Sequence, residues 1–163
     1  MNNKAIGFAR VSSKKQSDKG DSLENQRDQI QKYCEETGLD LIRIEVYHES
    51  AKESFDRRKY HAIVDQALKE GISNHLYWQF DREARNLTDS ESNERLVFQG
   101  KIALHYVRDR KIISKDSPDS DFFTRDINSV MNKHFSRNVS SKVKDGTRAK
   151  AESGWFPGNR PPF

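Results

Sequence analysis

Arg10 and Ser12 close the apolar run Ile6-Gly7-Phe8-Ala9, a guanidinium followed two positions later by a hydroxyl. Side chains alternate along an extended strand, so the two share a face with Cα atoms roughly 7 Å apart. Such a pair suits a phosphate. A guanidinium offers paired, geometrically fixed donors to phosphoryl oxygens, and a fixed cation nearby favours the ionised form of a serine that is otherwise a poor nucleophile. A strand running into a Ser/Lys turn would contain the same residues, so the catalytic reading depends on what the rest of the chain brings to this place.

Two further stretches bring related groups. Arg57 follows a second apolar stretch, and Asp81, Arg82 and Arg85 follow a third. Four guanidiniums converging on one serine are hard to explain as solvated surface, whereas phosphoryl transfer requires donors for charge on the equatorial oxygens around an in-line nucleophile. His48, His61, His75, His105 and His134 are scattered, and no His/Asp/Glu cluster has metal-ligand spacing. There is also no glycine-rich phosphate loop, so no metal or other cofactor is expected. Asp81 is a candidate general base by proximity, but the surrounding arginines should depress its pKa and weaken it in that role.

The elements that hold these groups can be read from periodicity and punctuation. Residues 4–11 read as a first strand, and 13–21, which include Gln16, as a polar loop. Ser22 reads as the N-cap of a helix ending near Thr37, before Gly38. A second strand over 39–47, a polar loop over 48–54 and a helix over 57–69 follow. A third strand is expected over 72–80, then a helix from Thr88 or Asp89, then a fourth strand over 102–107. This alternation predicts an α/β fold of about four to five mostly parallel strands flanked by helices, with reactive loops at the strand ends.

A final helix from about 118 to 153 would span roughly 50 Å, longer than a domain of this size needs. Phe123, Ile127, Val130, Met131 and Phe135 give it an apolar stripe, part of which is assigned to a partner subunit. Arg137, Lys142, Lys144, Arg148 and Lys150 load its far half with charge suited to a DNA backbone. The expected division is a catalytic unit over 1–116, this helix over 117–153, and a linker over 154–163.

Composition sets the outer limits. The 163 residues fit one domain plus an appendage, and the net charge of +4 is mild for a nucleic-acid binder, so charge distribution must decide. A mean hydropathy of −0.99 suits a chain part of which extends from the core. Cys34 is the only cysteine, which excludes an internal disulfide and fits a reducing cytoplasm. No stretch approaches the ~20 apolar residues of a membrane span.

With these residues in view, the sequence resembles the serine recombinases, the resolvase and invertase family. The matching pieces are Ala9-Arg10-Val11-Ser12 with Gln16, Ser22-Leu23 with Gln26, Asp56-Arg57, and Asp81-Arg82 with Arg85-Asn86. The longer loop before Ser22 and the closing Gly154 to Pro162 look more like the large serine recombinases than the small resolvases. The resemblance implies a resolvase-like catalytic domain that cuts and rejoins double-stranded DNA at specific sites, acting as a homodimer that pairs into a tetramer. A further DNA-binding region would follow it. Ser12 would form a 5′-phosphoserine link, with Arg10, Arg82 and Arg85 around the scissile phosphate and Arg57 as another active-site arginine. Gln16 and Gln26 would position the nucleophile loop, and Asp81 would orient the arginines.

Two positions depart from the family pattern. Where a serine is usual six residues before Arg57 the chain has Ala51, and Ser50 fills the role only if one extra residue is allowed. Glu83 stands at a position that is usually apolar. The rival reading is therefore a non-catalytic DNA-associated assembly protein that keeps the fold. A DNA-dependent covalent adduct separates the two.

Overall fold

A computed structural model describes residues 2–12, 22–49, 53–83 and 87–155; within these, 10–12, 47–49, 53–57, 81–82, 87–89, 129, 132–137 and 139 are described by backbone only. Five strands, β1 (Lys4–Ser12), β2 (Asp40–Glu49), β3 (Asn74–Tyr77), β4 (Ala103–Tyr106) and β5 (Lys111–Ile113), form one sheet in the order β2-β1-β3-β4-β5. The first four are parallel, and β5 returns antiparallel to β4. The helices are α1 (Leu23–Thr37), α2 (Glu53–Lys69), α3 (Phe80–Glu83), α4 (Leu87–Phe98) and α5 (Asp119–Glu152). This is the α/β arrangement that the alternation predicts.

Local signals account for α1. The Ser22 side chain accepts a hydrogen bond from the Asn25 amide at 3.2 Å, and Gly38 at φ 71° gives the left-handed turn that stops the helix. Gly7 lets α1 lie close to the sheet. A Cβ there would stand 3.0 Å from both Ile30 Cγ2 and Ile44 Cγ1.

The sheet is covered on both faces. Ile6, Phe8 and Tyr77 pack with Tyr60, Ile63 and Val64 of α2, Val97 of α4 and Phe122 of α5. Ala5, Leu76 and Trp78 pack with Ile30, Tyr33 and Cys34 of α1 on the other. β3 and β4 are buried at every position rather than alternately, as parallel strands covered on both faces are, and they carry Asn74, His75 and His105 into the interior.

Several boundaries differ from the sequence reading. The third strand ends at Tyr77, and Phe80 opens the short helix α3, because its ring stacks on Tyr106 with centroids 3.9 Å apart and turns the chain over β4. Asp81 and Arg82 therefore lie on a helical turn. α2 begins at Glu53, so Arg57 is inside the helix rather than at its start. β5 had no separate signal: three residues are too few to show a period, and its pairing with β4 follows a tight turn in which Arg110 takes φ 52°.

Candidate active site

The chain passes from β1 to β2 on one side and then crosses to β3 on the other side of β1. Between β1 and β3 the strand order reverses, and in open parallel sheets this opens a crevice at the carboxyl ends of the strands. The backbone positions of several candidate residues lie at this end. Phe8 pairs with Tyr77 near the end of β3, and Arg10 and Ser12 continue β1 beyond that pair, opposite Tyr47 and Glu49 of β2. α3, which bears Asp81 and Arg82, packs against β1, β3 and α5. α2, with Arg57 in its early turns, leaves the carboxyl end of β2.

Backbone alone thus brings the positions of Arg10, Ser12, Arg57, Asp81 and Arg82 to one end of the sheet. Gln16, Ser50, Ala51 and Arg85 lie outside the described residues. Gln26 sits one turn into α1, fully buried, with its backbone N–H donating to the Ser22 carbonyl at 3.0 Å. Among the described residues, no three His, Cys, Asp or Glu side chains gather as a metal site would require.

Behind the crevice lies a buried polar network, and it explains Glu83. The Glu83 carboxylate accepts from Arg125 Nη2 at 2.7 Å and Nε at 3.1 Å, from Tyr106 Oη at 2.5 Å and from Asn93 Nδ2 at 3.0 Å. These four donors match the carboxylate's four acceptor sites. Arg125 also donates to the Ser90 carbonyl at 2.9 Å and to Glu94 Oε2 at 3.0 Å. Asn93 in turn donates to Tyr60 Oη at 2.8 Å, and Tyr60 Oη lies 2.8 Å from Tyr77 Oη.

Burial opposes charge on Arg125, but the charge and hydrogen bonds of Glu83, with the hydrogen bond to Tyr106, outweigh it and raise the guanidinium pKa. Tyr106 is pushed up by burial and then by the Glu83 charge, so its phenol stays a donor. A carboxylate is therefore tolerated at a usually apolar position because α5 supplies a dedicated counter-charge. Sequence reasoning missed Arg125. The only hint was the charged residue three positions after Phe122, on the face of α5 that turns inward.

Most other described side chains of α5 face outward. Phe122 is 8% exposed, whereas Phe123 is 66%, Val130 59% and Met131 64% exposed, with Ile127 partly open beside them. Lys142, Lys144, Arg148 and Lys150 are all exposed, and Arg148 pairs with Glu152, one turn on. Phe135 and Arg137 fall on the same helix by backbone.

A mostly parallel α/β sheet with a strand-order reversal defines a fold class rather than one family. The comparisons give the family. Residues 5–155 match the family model described as "Resolvase, N terminal domain", and the chain belongs to that family. A crystal structure of a resolvase family site-specific recombinase from Streptococcus pneumoniae is similar, with a TM-score of 0.56 and 21% identity over 93% of this chain and 99% of that one. The N-terminal catalytic domain of TP901-1 integrase is also similar, with a TM-score of 0.55 and 20% identity over 83% of this chain and 98% of that one. No curated protein sequence matches.

Proposed function

We propose that this chain is the catalytic domain of a serine-type site-specific DNA recombinase. One observation carries the reading: Arg10 and Ser12 on β1 and Asp81 and Arg82 on α3 share the reversal point of a sheet belonging to the resolvase family. Ser12 Oγ attacks a DNA phosphodiester in line, forming the bond to the 5′ phosphate as the bond to the 3′ oxygen breaks; the serine proton is lost and the leaving oxygen gains one. Arg10, Arg82 and Arg85, with Arg57, stabilise charge on the equatorial oxygens. The phosphoserine retains the energy of the linkage, so a 3′ hydroxyl brought in by strand exchange reverses the step and rejoins the DNA.

Two copies joined through the exposed stripe Phe123, Ile127, Val130 and Met131 form the dimer, and paired dimers exchange strands. The basic far half of α5 follows the DNA backbone. In the test, the full-length protein is incubated with supercoiled plasmid carrying the DNA that flanks its own gene, and denaturant-resistant adducts are mapped. A phosphoserine at residue 12, absent in Ser12→Ala, is the expected result. An adduct that persists in Ser12→Ala refutes the assignment of the nucleophile, and the absence of any adduct favours the non-catalytic reading.

A further inference from the structure

The Glu83–Arg125 network reaches α3, α4 and α2, the helices that carry or flank Arg82, Arg85 and Arg57. Glu83 follows Arg82 directly on α3. Beyond the segment containing Arg85, Ser90, Asn93 and Glu94 of α4 are bound by the same two side chains. Tyr60, reached through Asn93, lies on α2 three residues after Arg57. Arg125, which bonds Glu83, Ser90 and Glu94 together, belongs to the long helix and is 2% exposed.

Stability alone is a weak explanation for this arrangement. A buried ion pair gains little over well-packed apolar side chains of similar volume, because desolvation of both charges cancels much of their attraction. What it supplies is direction: a two-pronged guanidinium–carboxylate contact fixes distance and angle together, where leucines would tolerate sliding.

We propose that Glu83 and Arg125 are positioning residues that hold the arginines of α3, of the α3–α4 segment and of α2 in register for one phosphate, and that tie this register to the placement of α5. The inference rests on the reading of Arg82 and Arg85 as phosphate-binding residues. It predicts that any displacement of α5, including one imposed by a partner subunit or by DNA on its outer face, changes the arginine geometry.

The test uses the full-length protein with Glu83→Leu and Arg125→Leu combined, which removes both charges, and Arg125→Lys, which keeps the charge without the fork. Four quantities are read: thermal melting, affinity for the mapped DNA duplex, the single-turnover rate of Ser12 adduct formation at saturating DNA, and the Nε–Hε NMR signals of Arg82 and Arg85 with and without inorganic phosphate. The expected result is a double variant that melts close to the parent and binds DNA comparably, while the adduct rate falls roughly a hundred-fold, as small misplacements of reacting groups produce. Its arginine signals should shift or broaden, and Arg125→Lys should behave in the same way if the double variant does not fold.

A folded variant with parental adduct rate and unchanged arginine signals overturns the proposal, as does a rate that falls only in proportion to melting temperature. If the parent itself forms no adduct, the recombinase reading fails. The arginine signals then still decide whether the pair sets their geometry.

Discussion

Asn74 on β3 fixes the protonation state of His105 on β4. Both amide hydrogens of Asn74 are committed, to the carbonyls of Asn2 and Lys4 at 2.9 Å each, so its Oδ1 faces His105 Nε2 at 3.1 Å and that nitrogen carries the proton. Nδ1 is then the acceptor for the Tyr33 hydroxyl at 3.1 Å. The imidazole is fully satisfied while neutral. Burial lowers its pKa from 6.5 to about 4.

His75 differs from it. It is buried beside Phe8, and among the described residues neither ring nitrogen has a hydrogen-bond partner. Burial first, then repulsion from His105, lower its pKa to about 4.

Both shifts make the fold acid-sensitive. In the unfolded chain each histidine binds a proton near pH 6.5, and in the folded chain only near 4, so their contribution is present above 6.5 and is lost as pH falls from 6.5 toward 4. A shift of this size corresponds to ~3 kcal/mol per group, less when two groups interact. Urea unfolding at pH 7.5 and 5.0 should show a marked loss, and His75→Leu should reduce it. An identical pH profile in His75→Leu would remove that residue from the account.

Arg10→Lys, Arg82→Lys and Arg85→Lys should each slow adduct formation by an amount corresponding to ~2 kcal/mol or more, because a point charge cannot reproduce a two-pronged contact with phosphate oxygens. Single-turnover rates measure this, and near-parental rates would show that charge alone suffices. Adduct formation should also continue in excess chelator. Loss of activity restored by magnesium would overturn a mechanism in which guanidiniums carry the charge.

Gly7→Ala should destabilise the fold by about 1–3 kcal/mol, because the added methyl meets two isoleucines at 3.0 Å in a covered face of the sheet. The expected signature is a lower urea midpoint with an unchanged slope. A stability equal to the parent would mean that α1 can move outward at no cost.

Phe123→Asp combined with Ile127→Asp should leave the melting temperature nearly unchanged, since both side chains are already open to solvent, and should shift the sedimenting species toward monomer. Truncation after Phe135 should keep the α/β unit folded and remove most DNA affinity and its salt dependence. An intact oligomer in the first variant, or unchanged DNA binding with the same salt slope in the second, would refute the roles given to α5.

What the sequence determined by itself was local. Ser22 and Gly38 mark the ends of α1 because capping groups act within a few residues, and alternating strand and helix periods indicate an α/β layer because each period records the face that must be covered. The residue types of the candidate site were legible for the same reason: Arg10 and Ser12 are neighbours in sequence, as are Asp81 and Arg82. Tertiary structure decided whatever depends on a distant partner. The run from Ile72 to Phe80 reads as one strand until the ring of Tyr106 captures Phe80. Phe122 and Phe123 are indistinguishable until the sheet selects the first for the core. Glu83 looks like a flaw until Arg125, 42 positions later, meets it in the interior. Burial and charge pairing are properties of the assembled layers, and no window of sequence contains both sides of such a contact.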